Sequence, residues 1–418
     1  MKFSALDRQK NIYLDGFAGS RPAVPVSVAA LEQAAQQKMD AHAFAYIAGG
    51  AGNETTLRAN RQAFDQWHIV PRMLRDVSVR DTAIELFGEK LPLPLLLAPI
   101  GVLEMAHPEA DLAVARAAAA LGIPYIFSNQ ASKPMEVLAA AMGDQPHWFQ
   151  LYWSKSNELV QSFVRRAERS GSKAIVVTLD TTLLGWRTRD LDLAYLPFLE
   201  GKGIAQYTSD PVFQQLMNDA PPAARKKITP SAVRGLVEMV RHYPGGNFFS
   251  KLLSGKPVRA VQHFVNSYSN PALQWSDLKL LKEITRLPIL LKGILHPDDA
   301  RRALDCGMGG IIVSNHGGRQ VDGSISTLAA LPAVVDAVAG RVPVLLDSGI
   351  RGGADMFKAL ALGANAVCLG RPYVYGLALA GQHGVSEVLQ NVMADFELTM
   401  ALAGCKNPGE INRDCLTR

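Results

Sequence analysis

Short apolar runs recur along the chain, each closed by a polar or glycine-containing turn. They cover residues 93–99, 125–128, 148–153, 174–180, 288–293, 310–315, 343–349 and 366–370. Between them, stretches such as 109–121, 157–170, 297–307 and 353–362 carry apolar residues at helical spacing. Continuous Val/Ile/Leu runs alternating with amphipathic helices describe a parallel sheet covered by helices. Eight such runs, each followed by a connection, predict a closed α/β (β/α)8 TIM barrel rather than an open doubly wound sheet. No Gly-x-Gly-x-x-Gly follows the first run, which argues against a dinucleotide-binding unit.

Two regions fall outside the repeat. Residues 1–92 carry a helical pattern over 28–40, with Ser27 placed to cap it, and the turn Ala48-Gly-Gly-Ala-Gly-Asn53. They are expected to form a capping segment at the bottom and edge of the barrel, which itself takes up 93–418. Residues 185–275, between the fourth and fifth runs, form an insertion of roughly ninety residues with an amphipathic stretch at 230–241. A connection of this length is normally functional, and a lid is the expectation.

Composition narrows the class. The chain has 418 residues, 48% of them hydrophobic and 19% charged, enough to bury a large core and too apolar to be disordered. Its net charge of +5 is spread over 43 basic and 38 acidic residues with no basic block, so nucleic acid is not an expected partner. Cys306, Cys368, Cys405 and Cys415 form no Cys-x-x-Cys pair, so no metal site is expected and free thiols are the reading. No uninterrupted apolar stretch approaches the length of a membrane span. The opening Met-Lys-Phe-Ser-Ala-Leu-Asp-Arg carries charges where a secretion signal needs an apolar run. A cytoplasmic protein is expected.

A (β/α)8 barrel builds its active site at the C-terminal ends of its strands, so the informative residues are the polar ones that end the apolar runs. These are Ser128, Gln150, Tyr152, Thr178, Asp180, Lys292, Ser314-Asn-His316, Asp347 and Gly370-Arg371. An inert barrel has no reason to carry such a ring. Asp347-Ser-Gly-Ile-Arg351 and Leu369-Gly-Arg371 combine small residues with guanidinium groups after strands seven and eight, the usual phosphate site of this fold. Lys292 suits either a Schiff-base nucleophile or a fixed cation. His316 supplies a base near neutral pH, and Arg319 a carboxylate clamp. Asp347, on the adjacent strand, is expected to orient the imidazole of His316. The other eight histidines lack this setting and are read as structural.

Ser314-Asn-His-Gly-Gly-Arg-Gln320, taken with Leu291-Lys-Gly293, Asp347-Ser-Gly-Ile-Arg351 and Gly370-Arg-Pro372, resembles the FMN-dependent L-2-hydroxy-acid-oxidising family. The likeness runs from about Ser27 to the C-terminal helix. Tyr46-Ile-Ala-Gly-Gly, Ala98-Pro-Ile-Gly-Val102, Gly185-Trp-Arg-Thr-Arg-Asp-Leu191 and Thr208-Ser-Asp-Pro-Val-Phe-Gln214 are most similar to its lactate 2-monooxygenase branch.

The resemblance implies FMN across the barrel mouth. Its phosphate falls to Arg351, Gly370 and Arg371, beside Ser348 and Gly349. Its ring falls to backbone at Ala98, Pro99 and Ile100 and to Ser128, Gln150 and Thr178, with Ser314 and Asp347 close by. Lys292 then becomes the cation that stabilises reduced flavin. Tyr46, Arg187 and Arg319 are implied to hold the substrate carboxylate, with Tyr152 and His316 at the reacting carbon. Asp180 is a weaker candidate behind them. Two departures bear on specificity: Gly101 stands where the family's oxidases carry Ala, and Gln130 replaces the aromatic residue of glycolate oxidase.

The implied activity is oxidation of L-lactate, or a similar small L-2-hydroxy acid, by O2, with decarboxylation of the bound pyruvate to acetate. An oxidase releasing pyruvate and H2O2 is the nearest alternative. An electron-passing dehydrogenase and a catalytically inert FMN-binding barrel are more distant ones. The resemblance also implies a homotetramer or octamer.

Overall fold

The structure is a computed structural model that describes residues 3–219 and 229–418. All eight apolar runs are strands. We label them β1 (Leu95–Leu97), β2 (Tyr125–Phe127), β3 (His147–Leu151), β4 (Ile175–Thr178), β5 (Ile289–Ile294), β6 (Gly310–Val313), β7 (Val344–Leu346) and β8 (Ala366–Leu369). Every neighbouring pair is parallel, and β8 closes back onto β1. The helices Ala110–Leu121, Met135–Met142, Asn157–Arg169, Leu278–Ile284, Pro297–Asp305, Thr327–Val338, Gly353–Ala361 and Arg371–Leu402 follow the strands and pack on the outside.

Strand alternation decides which side chains fill the barrel. Leu96, Ile126, Trp148, Val176, Leu290, Ile312, Leu345 and Cys368 pack into one inner cluster. Their neighbours, such as Leu95, Leu97, Phe127, Phe149 and Val177, join the core beneath the helices. A hairpin, Ile84–Leu86 with Glu89–Leu91, joins the inner cluster from the N-terminal side of the strands. Its Phe87 packs edge-on against Trp148, with ring centroids 5.6 Å apart.

The N-terminal pattern over 28–40 divides in two. One helix runs Val28–Lys38, a second runs Ala41–Ala48, and Asp40 caps the second through the amide of His42. Ser27 stands at the first N-cap, but its hydroxyl makes no capping bond.

The insertion is helical and mostly docked. Arg166, on the helix after β3, is buried and bonded to Glu136, to the carbonyl of Gln206 and to the fully buried Asp210. Ser162 donates to the same Asp210 carboxylate at 2.7 Å. Losing one member of such a network strands a buried charge, which makes the 205–219 stretch a fixed part of the barrel wall. Farther along, Pro230–His242 is amphipathic, as its pattern requires, and Thr229 caps it at the amide of Ala232. Helix Lys256–Ser267 returns the chain to the wall through the buried Ala260, Val261 and Phe264. Among the described residues, no helix is long and apolar enough to cross a membrane.

Candidate active site

The C-terminal ends of the strands open into one cavity, and most of the expected residues line it. Tyr46, Tyr152, Arg187, His316 and Arg319 form one side. Ala98, Pro99, Ile100, Ser348, Gly349, Arg351, Gly370 and Arg371 form the other, with Lys292 and Asp347 at the floor. Ser128, Gln150, Thr178 and Ser314 sit one layer deeper and are buried.

Ser314 accepts from Lys292 Nζ at 2.9 Å and from the His316 amide at 3.1 Å, so it joins β5 to β6 rather than facing the cavity. The side-chain amide nitrogen of Gln150 and the hydroxyl of Thr178 are buried with no partner among the described residues. Buried polar groups are nearly always bonded, and these two belong to the set expected to meet a flavin ring.

The base is built differently from the expectation. The imidazole of His316 pairs through Nδ1 with Asp180 Oδ1 at 2.7 Å. Thr181 Oγ1 stands 3.1 Å from the same nitrogen and donates to the Asp180 carboxylate at 3.0 Å. Asp347, expected on the histidine, instead lies 3.2 Å from Lys292 Nζ and accepts from the Ser348 hydroxyl at 2.7 Å.

Backbone explains the exchange. Gly293, just after Lys292, has φ +109°, and a Cβ there would sit 2.9 Å from Asp180 Cβ. Only glycine leaves room for Asp180 to reach across β5 toward His316. His316 itself has φ +57°, an uncommon state for a non-glycine residue, and its turn is held by Gly317 donating to the Ser348 hydroxyl at 2.9 Å.

Charge follows this geometry. Burial works to raise the Asp180 carboxyl, but His316 and Lys292 outweigh it and hold it at about 2. Burial pulls His316 below the ordinary histidine value, partly offset by Asp180. Burial also opposes the Lys292 charge, yet Asp347 and Asp180 overcome it and raise the ammonium above the usual lysine value. Paired with Asp347 at 3.2 Å and bonded to Ser314, Lys292 is set as a fixed cation rather than as a Schiff-base nucleophile, which needs a neutral amine. Burial raises the Tyr152 hydroxyl, which stays protonated.

Among the described residues, the guanidinium groups of Arg351, Arg371, Arg319 and Arg187 pair with no carboxylate. Burial, then the nearby Arg371, brings Arg351 down to about 10; its guanidinium donates to the carbonyl of Ile350 and its amide to Asp355 at 2.8 Å. Arg371 donates to the carbonyls of Ile47, Gly317 and Gly49. Arg61, which the sequence did not single out, reaches the carbonyl of Gly349 and pairs with Asp355. Burial and Arg187 lower Arg319 to about 9. Its guanidinium lies over the Tyr46 ring at 4.7 Å, and that of Arg187 over the same ring at 5.8 Å. A phosphate and a carboxylate are the anions these two groups of arginines fit.

Three more residues were missed. Gln320 donates to the carbonyls of Asp180 and Leu183 and accepts from Arg187 at 3.0 Å, fastening the loop after β4. It stood inside the quoted motif but had no assigned role. Phe198 and Tyr268 wall the cavity from the insertion, where no periodicity pointed to them.

Comparison with known proteins supplies the family. Residues 35–418 match the model of the FMN-dependent dehydrogenase family. The chain is 45% identical to an L-lactate oxidase of Lysinibacillus sphaericus, over 91% of this chain and 89% of that one. It is 39% identical to a 4-hydroxymandelate oxidase of Amycolatopsis orientalis, over 93% and 97%. A crystal structure of mandelate oxidase with (S)-4-hydroxymandelic acid superposes with a TM-score of 0.78 at 38% identity, covering 94% of this chain and 98% of that one.

Proposed function

Because the chain belongs to the FMN-dependent dehydrogenase family and oxidises a 2-hydroxy acid with FMN as cofactor, we propose that its substrate is L-lactate and its products are acetate, CO2 and water. The observation that carries the first half is the convergence of Arg187, Arg319 and Tyr46 on one side of the paired His316 and Asp180. Bound FMN supplies a two-electron acceptor that O2 can reoxidise.

The protein's own groups divide the remaining work. Arg319 and Arg187 hold the substrate carboxylate, and Tyr46 packs beneath both guanidinium groups. With Nδ1 on Asp180, the Nε2 atom of His316 is the acceptor left for the substrate proton. Asp180 stays ionised and stabilises the imidazolium that results. Tyr152, protonated, donates to the substrate hydroxyl oxygen. Gln150 and Thr178 offer their unpartnered donors to the ring, Lys292 the positive charge beside it, and Arg351 the charge for the phosphate.

The second half rests on retention. Peroxide and pyruvate react to give acetate, CO2 and water only if they meet before either leaves. Phe198 and Tyr268 cover the cavity, and Tyr268 stacks on the buried Phe264 at 5.1 Å. Phe264 packs against Tyr207, whose hydroxyl donates to Asn129 at 3.0 Å. Anchoring of this wall supports the slow product escape that decarboxylation requires. A shorter residue at 101 supports the same outcome. Gly101 lets the loop after β1 lie against Gln130, where a Cβ would stand 2.8 Å from Gln130 Cβ.

Turnover of L-lactate in air, with acetate and free peroxide both measured, tests the reading. Acetate equal to lactate consumed is expected. Stoichiometric peroxide without acetate would overturn the product assignment and make the protein an oxidase.

A further inference from the structure

Away from the barrel mouth, two of the four cysteines meet on a single acceptor. Cys405 follows the long C-terminal helix, and Cys415 ends the short turn Arg413–Cys415. The sulfur of Cys405 lies 3.7 Å from the carbonyl oxygen of Glu410, and that of Cys415 lies 3.8 Å from the same oxygen. Both thiols thus point at one oxygen atom.

The arrangement is held from both ends. The amide of Val70 donates to the Cys415 carbonyl at 2.9 Å, and strand His68–Ile69 pairs with Leu416–Thr417. On the other side, Arg72 donates to the Ala403 carbonyl at 3.1 Å and Asp81 to that of Lys406 at 2.9 Å. Both cysteines are thus fixed against the 68–81 segment by separate backbone bonds. Two thiols held against one acceptor react as an intramolecular pair, at an effective concentration far above any thiol in solution.

Access is unequal. Cys405 is 3% exposed, whereas Cys415 is partly open to solvent. Burial keeps the Cys405 thiol protonated, raising it to about 12 against the pull of Arg75. An oxidant therefore meets Cys415 first.

We propose that Cys405 and Cys415 are a peroxide-responsive dithiol that closes to a disulfide across the 405–415 loop. The Cys415 sulfur attacks one oxygen of hydrogen peroxide, the O–O bond breaks, and one water leaves as Cys415 becomes a sulfenic acid. The Cys405 sulfur then displaces the sulfenic oxygen, which departs as a second water. Two S–H bonds are lost and one S–S bond forms. The sulfurs give up two electrons, and peroxide takes them. The inference goes beyond the catalytic assignment and does not depend on which product leaves the active site, because the test adds peroxide directly.

The FMN-loaded protein is treated with hydrogen peroxide, quenched, unfolded and alkylated with iodoacetamide. Untreated protein should take up label on all four cysteines. Treated protein should carry label only on Cys306 and Cys368 and lose about 2 Da before alkylation. After trypsin, the fragment 414–418 should remain joined to the fragment that ends at Lys406, and dithiothreitol should restore full labelling. C415S, checked for an unchanged flavin spectrum, should label its three remaining cysteines equally with and without peroxide. C405S should instead gain oxygen on Cys415 with no cross-link. Full labelling after peroxide, a cross-link that includes Cys306 or Cys368, or oxygen added to Cys415 of the wild type without a link would each overturn the proposal.

Discussion

The two sides of the barrel mouth treat charge in opposite ways. Around the base, the ionised groups have internal partners: Asp180 with His316, and Lys292 with Asp347 from the end of β7. Across β7 and β8, the guanidinium of Arg351 meets the carbonyl of Ile350 and lies near Arg371, and burial lowers it. The first side is complete without ligand, with acid, base and cation already set against one another. The second repels itself until an anion arrives. Charge balanced inside the protein marks where protons move, and charge left unbalanced marks where a ligand supplies the counter-ion.

Breaking the balanced side should cost most. Asp180→Asn should lower the rate of flavin reduction by anaerobic L-lactate about 100-fold or more, the usual scale of general-base assistance. Asp347→Asn should cost distinctly less, because it leaves the pair on His316 intact. Stopped-flow bleaching of the flavin at 450 nm reads both, and equal losses would restore Asp347 as the partner of the base.

Breaking the unbalanced side should act on affinity instead. Arg351→Met removes a charge-assisted bond, so FMN should dissociate about 10- to 100-fold more readily. Fluorescence released on dilution measures it. The flavin reduction rate per FMN retained should stay within about twofold, since no proton moves on that side.

The smallest effect expected is a shift along the pH axis. The base must be neutral to accept a proton, so kcat/KM should be full above the His316 pKa and fall tenfold per pH unit below it. Burial lowers that pKa, which puts the acidic limb under the ordinary histidine value of about 6.5. Asp180 raises it, so in Asp180→Asn the residual activity should have its limb at still lower pH. A limb that moves upward would show that another group titrates.

How much of this was legible in the sequence depended on distance along the chain. Each of the eight strands had its own apolar run, because burial on both faces of a parallel strand leaves a local mark. The ring of polar residues at their ends was equally visible, including Lys292, His316 and Arg319. The helix Pro230–His242 announced itself by its spacing. Phe198 and Tyr268 did not, since an aromatic residue in an irregular insertion looks the same whether it packs or walls a cavity.

The exchange of Asp347 for Asp180 shows where such reading stops. Both carboxylates end strands that flank β5 and β6, and neither position in the chain says which one the imidazole turns toward. That choice was made by a glycine on a third strand, Gly293, and by the left-handed backbone of His316. The sequence by itself determined the barrel, the groups available at its mouth and the anions they attract. Tertiary structure alone decided the pairings, because a hydrogen bond depends on a few tenths of an ångström between residues as distant in the chain as Asp180 and His316.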